Sequence, residues 1–333
     1  CWLAIRWVVV QFSRESVIFR PSERFSVNVW LKQVMRERTE LPLAGHAVLC
    51  GVIIVVVKFF VGLGAVPPES WLHFTKQTLI VLVATVAMPA VLMAMFLTRN
   101  PLKSLKLASC RIPVACAAVL AAILLHPAMT WLTNLVLAIY PPSGDLAGIQ
   151  QIMNDVLADA PGFWAILGVL AVAPALAEEL AFRGFILSGL QSLRSNIKAV
   201  IISSILFGAA HTILQQSIVT FFVGCVLGFI AVQTKSLIPC MLYHLTHNGL
   251  SISMAMLDQH IMSDYPLLKF LFRPTESAGF EYSVIPAGLM TIAGLALIGW
   301  FWKYREPPRP QPWEFSPWSR LPWHVRRWRS KLK

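Results

Sequence analysis

The sequence predicts an all-α protein that crosses a membrane about eight times and keeps both termini in the cytoplasm. Three observations predict it. Hydrophobic residues make up 56% of the chain and charged residues 13%, about half the charged share of a soluble domain. Apolar stretches long enough to span a bilayer recur between Ala44 and Trp302. Lysine and arginine alternate between the intervening loops as a topology signal does. The same composition excludes a disordered chain, a disulfide-stapled secreted domain and a collagen-like repeat. Cys1, Cys50, Cys110, Cys116, Cys225 and Cys240 lie scattered in or beside apolar segments without a CxxC spacing, and read as small apolar packing residues.

Hydropathy puts the spans at 44–64, 77–98, 113–139, 163–190, 198–214, 217–233, 238–257 and 285–303. Pro127 interrupts the third and is expected to kink it. The fourth stops near Phe182 or runs on through Leu190. The fifth and sixth are short and meet at Gln215–Gln216. The loops predicted on one side carry 24 lysines and arginines and those on the other carry 3, with Lys58 left inside the first span. An even number of spans with cytoplasmic termini follows. The net charge of +12 is thereby topology rather than a nucleic-acid footprint.

The two ends carry separate expectations. Cys1-Trp2-Leu3 is not the product of a start codon, so the chain is expected to be a piece of a longer one; no signal peptide is apparent. Residues 306–333 interleave prolines with Trp313, Trp318, Trp323 and Trp328, then Arg326, Arg327, Arg329, Lys331 and Lys333. Indoles favour the headgroup region and cations favour anionic lipid, so this reads as a membrane-surface tail, with a partner-binding tail as the rival.

Ionisable groups inside apolar spans cost about 2.5–3.5 kcal/mol each on insertion scales and point to function by default. Lys58 stands isolated, and snorkelling or a structural pairing would explain it equally. Glu178 and Glu179 point about 100° apart on a helix and cannot serve one group equally. Glu179 and Arg183, at i and i+4 with the acid first, suit an intrahelical ion pair. Glu178 is then left without a local partner, and a carboxylate in a low-dielectric site makes a base able to activate water. Both acids sitting at a cytoplasmic helix end is the plainer alternative. His211, after the small residues Gly208-Ala209-Ala210, is a hydrogen-bonded structural residue or a proton carrier. His244 and Asn248 share a face of the seventh span, with His247 on its edge. These groups would donate hydrogen bonds to an oxyanion or ligate a metal. A base, a proton carrier and oxyanion donors on three spans are what attack on an amide by water requires.

Glu178-Glu179-x-x-x-Arg183, Phe207-x-x-x-His211 and His244-x-x-x-Asn248, in that order, resemble the CPBP family. These are intramembrane proteases related to the type II CAAX prenyl protease and to abortive-infection proteins. Phe221, Phe222, Gly224, Gly228 and the turn Thr234-Lys235-Ser236-Leu237 resemble the family's linking segment, and the match covers roughly residues 160–255. The resemblance implies an intramembrane endopeptidase in which Glu178 activates water with help from His211, while His244 and Asn248 stabilise the oxyanion. Glu179 and Arg183 would support them, with His247 a bystander or a ligand. The family has been described as metal-dependent and as metal-independent; either no cofactor is obligatory or one zinc is held by Glu178, His211 and His244. The span limits leave His211 offset in depth from Glu178 and His244 by on the order of 10 Å, a gap that narrows if the fourth helix reaches residue 190.

The expected organisation is a cytoplasmic segment over 1–43, helices over 44–160, the protease core over 161–257, an external loop and last helix over 258–303, and a tail from 304. Some bacterial chains resemble an ABC permease fused ahead of such a core, and residues 1–43 would be the remnant of that junction. Expected partners are membrane lipid, a peptide substrate and ABC transporter components, not nucleic acid, in a cell (inner) membrane. A transporter with buried charges lining an ion path is the alternative, though two repeats with matching broken helices are not found.

Overall fold

A computed structural model describes residues 27–141, 146–275 and 279–303; the expectations for residues 1–26 and for the tail fall outside these. Two compact units are present, residues 1–38 and 39–333. In the first, Val27–Arg36 forms helix α1. The second is built from α2 (Ala44–Leu63), α3 (Trp71–Leu97), α4 (Ile112–Ile139), α5 (Leu146–Ala158), α6 (Phe163–Leu193), α7 (Asn196–Ala209), α8 (Leu214–Thr234), α9 (Ile238–Ala255) and α10 (Val284–Lys303). Short helices at Pro101–Ser104, Gln259–Asp264 and Pro266–Leu271 fill the connections. Strands β1 (Phe272–Pro274) and β2 (Phe280–Tyr282) pair antiparallel, Phe272 opposite Tyr282. That small ribbon lies in the connection ahead of α10. Cys50, Cys116, Cys225 and Cys240 are free thiols.

The protein is all-α and polytopic. Among the described residues six helices are long and apolar enough to cross a membrane: α2, α3, α4, α6, α8 and α10. The two further spans expected from hydropathy do not qualify. Helix α7 has 14 residues, about 21 Å of rise against a hydrocarbon core of about 30 Å. Helix α9 has 18 residues, but His244, Thr246, His247 and Asn248 dilute its hydropathy. Outward-facing side chains include Phe60, Ile112, Leu289 and Trp302, as lipid contact requires. Inward positions are small: Ala47, Cys50, Ala90, Ala94, Ala118, Ala121 and Ala122 are fully buried. Their size lets backbones approach closely where lipid supplies no hydrophobic drive between helices.

Prolines shape the two helices nearest the site. Turns of π-helix at Val81–Ala87 and Gly168–Val172 lie just ahead of Pro89 and Pro174. Proline brings no N–H to the carbonyl four residues earlier, and a widened turn accommodates its ring. Pro127, by contrast, lies inside α4 without ending it.

Close packing sets helix depth. A Cβ on Gly208 would come within 2.6 Å of the Ser217 carbonyl, so Gly208 is where α8 touches α7. Gly184 packs against the backbone of Leu105 in the same way. Next to it, buried Lys106 donates from Nζ to Ser188 Oγ (2.6 Å) and Gln191 Oε1 (2.8 Å), both on α6. The carbonyl of Lys106 accepts from Leu237 N at 3.0 Å, at the start of α9. One loop residue thus sets the level of α6 against α9.

Burial pushes the Lys106 ammonium down from 10.5 to about 8. Between those values the unfolded chain holds the proton that the folded protein has released, so stability rises with pH across the window. The midpoint of thermal unfolding in mild detergent is expected to climb from pH 8 to 10 in wild type and to lose that slope in Lys106→Met. Equal slopes in the two proteins would contradict the buried ammonium.

Candidate functional site

Helix α6 supplies Glu178, Glu179 and Arg183, all buried. The i, i+4 ion pair expected from spacing is present: Arg183 Nη1 lies 2.8 Å from Glu179 Oε1. The same oxygen also accepts from His244 Nδ1 on α9, at 2.8 Å. Glu179 therefore stands between two cation-forming groups from different helices. This bond fixes the ring of His244 so that its Nε2 points to Glu178, 3.9 Å from Oε2. Arg183 and the surrounding residues lie on a further π-helical segment, Leu180–Ile186, a local irregularity found at many functional sites.

Phe207 on α7 is the hub of the cluster. Arg183 Cζ sits 4.1 Å from its ring centroid, a desolvated cation–π contact. Phe182, His211 and His244 meet the ring at centroid distances of 5.1, 4.9 and 6.1 Å. His211 lies beyond the end of α7, in a turn where Thr212 takes the left-handed conformation (φ 56°). Its Nδ1 donates to the Phe207 carbonyl at 2.9 Å, one of the carbonyls a helix C-terminus leaves without a partner. The other ring nitrogen is free of that bond. Glu178 lies within electrostatic range of His211, Lys58, His244 and Arg183.

The depth offset expected for His211 is closed by the helix ends. Glu178 lies 15 residues before the end of α6 at Leu193, and His211 lies 15 residues after the start of α7 at Asn196. Both are about 22 Å from the turn that joins the two helices.

Asn248 does not join the charged cluster as the structure stands. Its Nδ2 donates to the Leu170 carbonyl at 3.2 Å. That carbonyl is the one from which Pro174, four residues on, withholds a helical N–H. One amide hydrogen is used this way and the second remains. His247 turns away from the cluster, packs against His126 at 4.9 Å and stacks on Tyr243. Lys58 lines an apolar cavity of about 470 Å³ with Pro67, Phe74, Val81, Leu82 and Ile152. Three residues escaped the sequence reading: His126, whose Nδ1 is 2.9 Å from Tyr282 Oη and whose Nε2 is 3.0 Å from Ser251 Oγ, and those two partners. His126 carried the signal that singled out Lys58, an ionisable residue within an apolar span.

The donors named for zinc are not gathered: among the described residues no group of three or more His, Cys, Asp or Glu could hold a metal ion.

A buried acid–histidine cluster thus joins α6, α7 and α9. Residues 160–250 match the family model described as Type II CAAX prenyl endopeptidase Rce1-like. The match over that segment supports membership of the CPBP family of intramembrane proteases. No curated protein and no solved structure matches the chain.

Removing one partner of a buried pair leaves the other charge uncompensated, at a cost of about 3–5 kcal/mol. Glu179→Ala is expected to lower the unfolding midpoint in detergent sharply, whereas Glu178→Gln, which breaks no close hydrogen bond, is expected to leave it nearly unchanged. The reverse order would contradict the pairing.

Proposed function

We propose that the protein is an endopeptidase of the cell membrane that hydrolyses a peptide bond of a membrane-associated peptide, with residues 161–257 as its catalytic core. The observation that carries this is the 3.9 Å approach of His244 Nε2 to the Glu178 carboxylate, held by the Glu179–His244 bond. Glu178 takes a proton from water as the water oxygen attacks the scissile carbonyl carbon. His244 Nε2–H and the unused amide hydrogen of Asn248 hold the oxyanion that develops. As the intermediate collapses the C–N bond breaks, and the proton on Glu178 passes by way of His211 to the leaving amine. The products are a new carboxylic acid and a free amine, which ionise to carboxylate and ammonium once in water.

Two features support a peptide in the bilayer as the substrate. The reacting groups lie among apolar helices, and Lys58, within electrostatic range of Glu178, lines an apolar cavity. Its lining suits apolar side chains, while the ammonium suits a polar or anionic group on the same peptide.

Glu178→Gln is expected to abolish cleavage of a fluorogenic membrane-peptide panel by protein of unchanged fold. His211→Ala is expected to lower kcat by about 10²–10⁴-fold. A fully active Glu178→Gln would refute the mechanism, and ion flux in proteoliposomes that survives the substitution would favour the transporter alternative.

A further inference from the structure

A second cavity, of about 390 Å³, opens beside α9 on the side of α4. Its lining is mixed, and more polar than that of the Lys58 cavity: His126, Thr130 and Thr133 from α4 and His247 and Ser251 from α9 stand beside Met129, Met254 and Leu257. Gly279 and Phe280 close it next to β2, whose Tyr282 bonds His126. At about 30 Å³ per molecule it has room for on the order of ten waters.

Unpaired buried polar atoms point the same way. Among the described residues five buried side-chain polar atoms have no protein partner. Four of them are His247 Nδ1 at the cavity wall, Tyr243 Oη on the residue next to His244, and Arg183 Nη2 and Glu179 Oε2 in the charged cluster. Tyr243 stacks on His247, and Glu179 is bonded to His244. A buried polar atom left unpaired costs about 1–3 kcal/mol. Bound water satisfies such atoms where a polar cavity adjoins them.

We infer that this cavity is a hydrated chamber that delivers the water consumed at Glu178, separate from the apolar cavity that receives the peptide. The inference rests on the hydrolase reading of the site. It answers a requirement that reading creates: hydrolysis in an apolar surround needs a water route that a bound peptide does not block.

The test uses the full chain in mild detergent, with Thr133→Cys in the chamber and Ala118→Cys at a fully buried position of the same helix. Each is treated with a permanently charged methanethiosulfonate, and labelling at the introduced thiol is followed by peptide mass spectrometry. A thiol in water reacts as thiolate and a dry one does not. Position 133 is expected to label about tenfold or more faster than position 118. The labelled Thr133→Cys protein is expected to show a lower kcat than its own unlabelled form, with KM unchanged. Labelling no faster than at 118 would overturn the hydrated chamber. Fast labelling with unchanged kcat would overturn the delivery role. Wild-type protein without hydrolytic activity would overturn the protease reading and delivery with it, while the labelling rates would still report whether the chamber is wet.

Discussion

One carboxylate held between two basic side chains is the constraint on which the rest of the structure depends. Glu179 Oε1 is bonded at 2.8 Å to Arg183 on its own helix and at 2.8 Å to His244 on α9. Burying any one of these groups alone in a membrane protein would be costly. Together they offset one another, and Phe207 shields the guanidinium from above. The consequence is geometric. With Glu179 committed to the pair, the adjacent Glu178 faces a different direction and meets the far nitrogen of the imidazole. Adjacent acids thus take unlike parts because a helix turns about 100° per residue.

The surrounding fold serves to bring three helices to one depth. Gly208 lets α7 and α8 meet, Gly184 admits the Leu105 backbone, and Lys106 pins α6 and α9 to the same loop. Asn248 adds a fourth tie by taking the carbonyl that Pro174 leaves open. None of these contacts involves a large apolar side chain. Between membrane helices close packing and hydrogen bonds decide the arrangement, since lipid is as apolar as the core.

Much of this was legible in the residues. The six long apolar helices, the Glu179–Arg183 pair and the closeness of helices at Gly208 follow from period, spacing and residue size. The end of helix α7 was placed five residues too far, at 214, because the turn after Ala209 carries a left-handed Thr212 and no glycine or proline signal. The Glu179–His244 bond joins residues 65 apart, and depends on how α6 and α9 are rotated against each other, which one strand of text does not record. The position of Asn248 could have been anticipated by asking what Pro174 leaves unpaired. His126 was readable by the rule that picked out Lys58. The tie of Tyr282 to His126 was not readable, because it comes from the ribbon in a connection expected to be irregular.

The central claim is that Glu179 acts through His244, holding the ring against Glu178. A double-mutant cycle on kcat addresses it most directly, using Glu179→Gln, His244→Ala and the pair, each assayed below its unfolding midpoint. If the claim is right, Glu179→Gln lowers kcat in the wild-type background and changes it little once His244 is gone. Equal losses in both backgrounds would contradict it, and would make Glu179 a residue that acts on the reaction independently of His244.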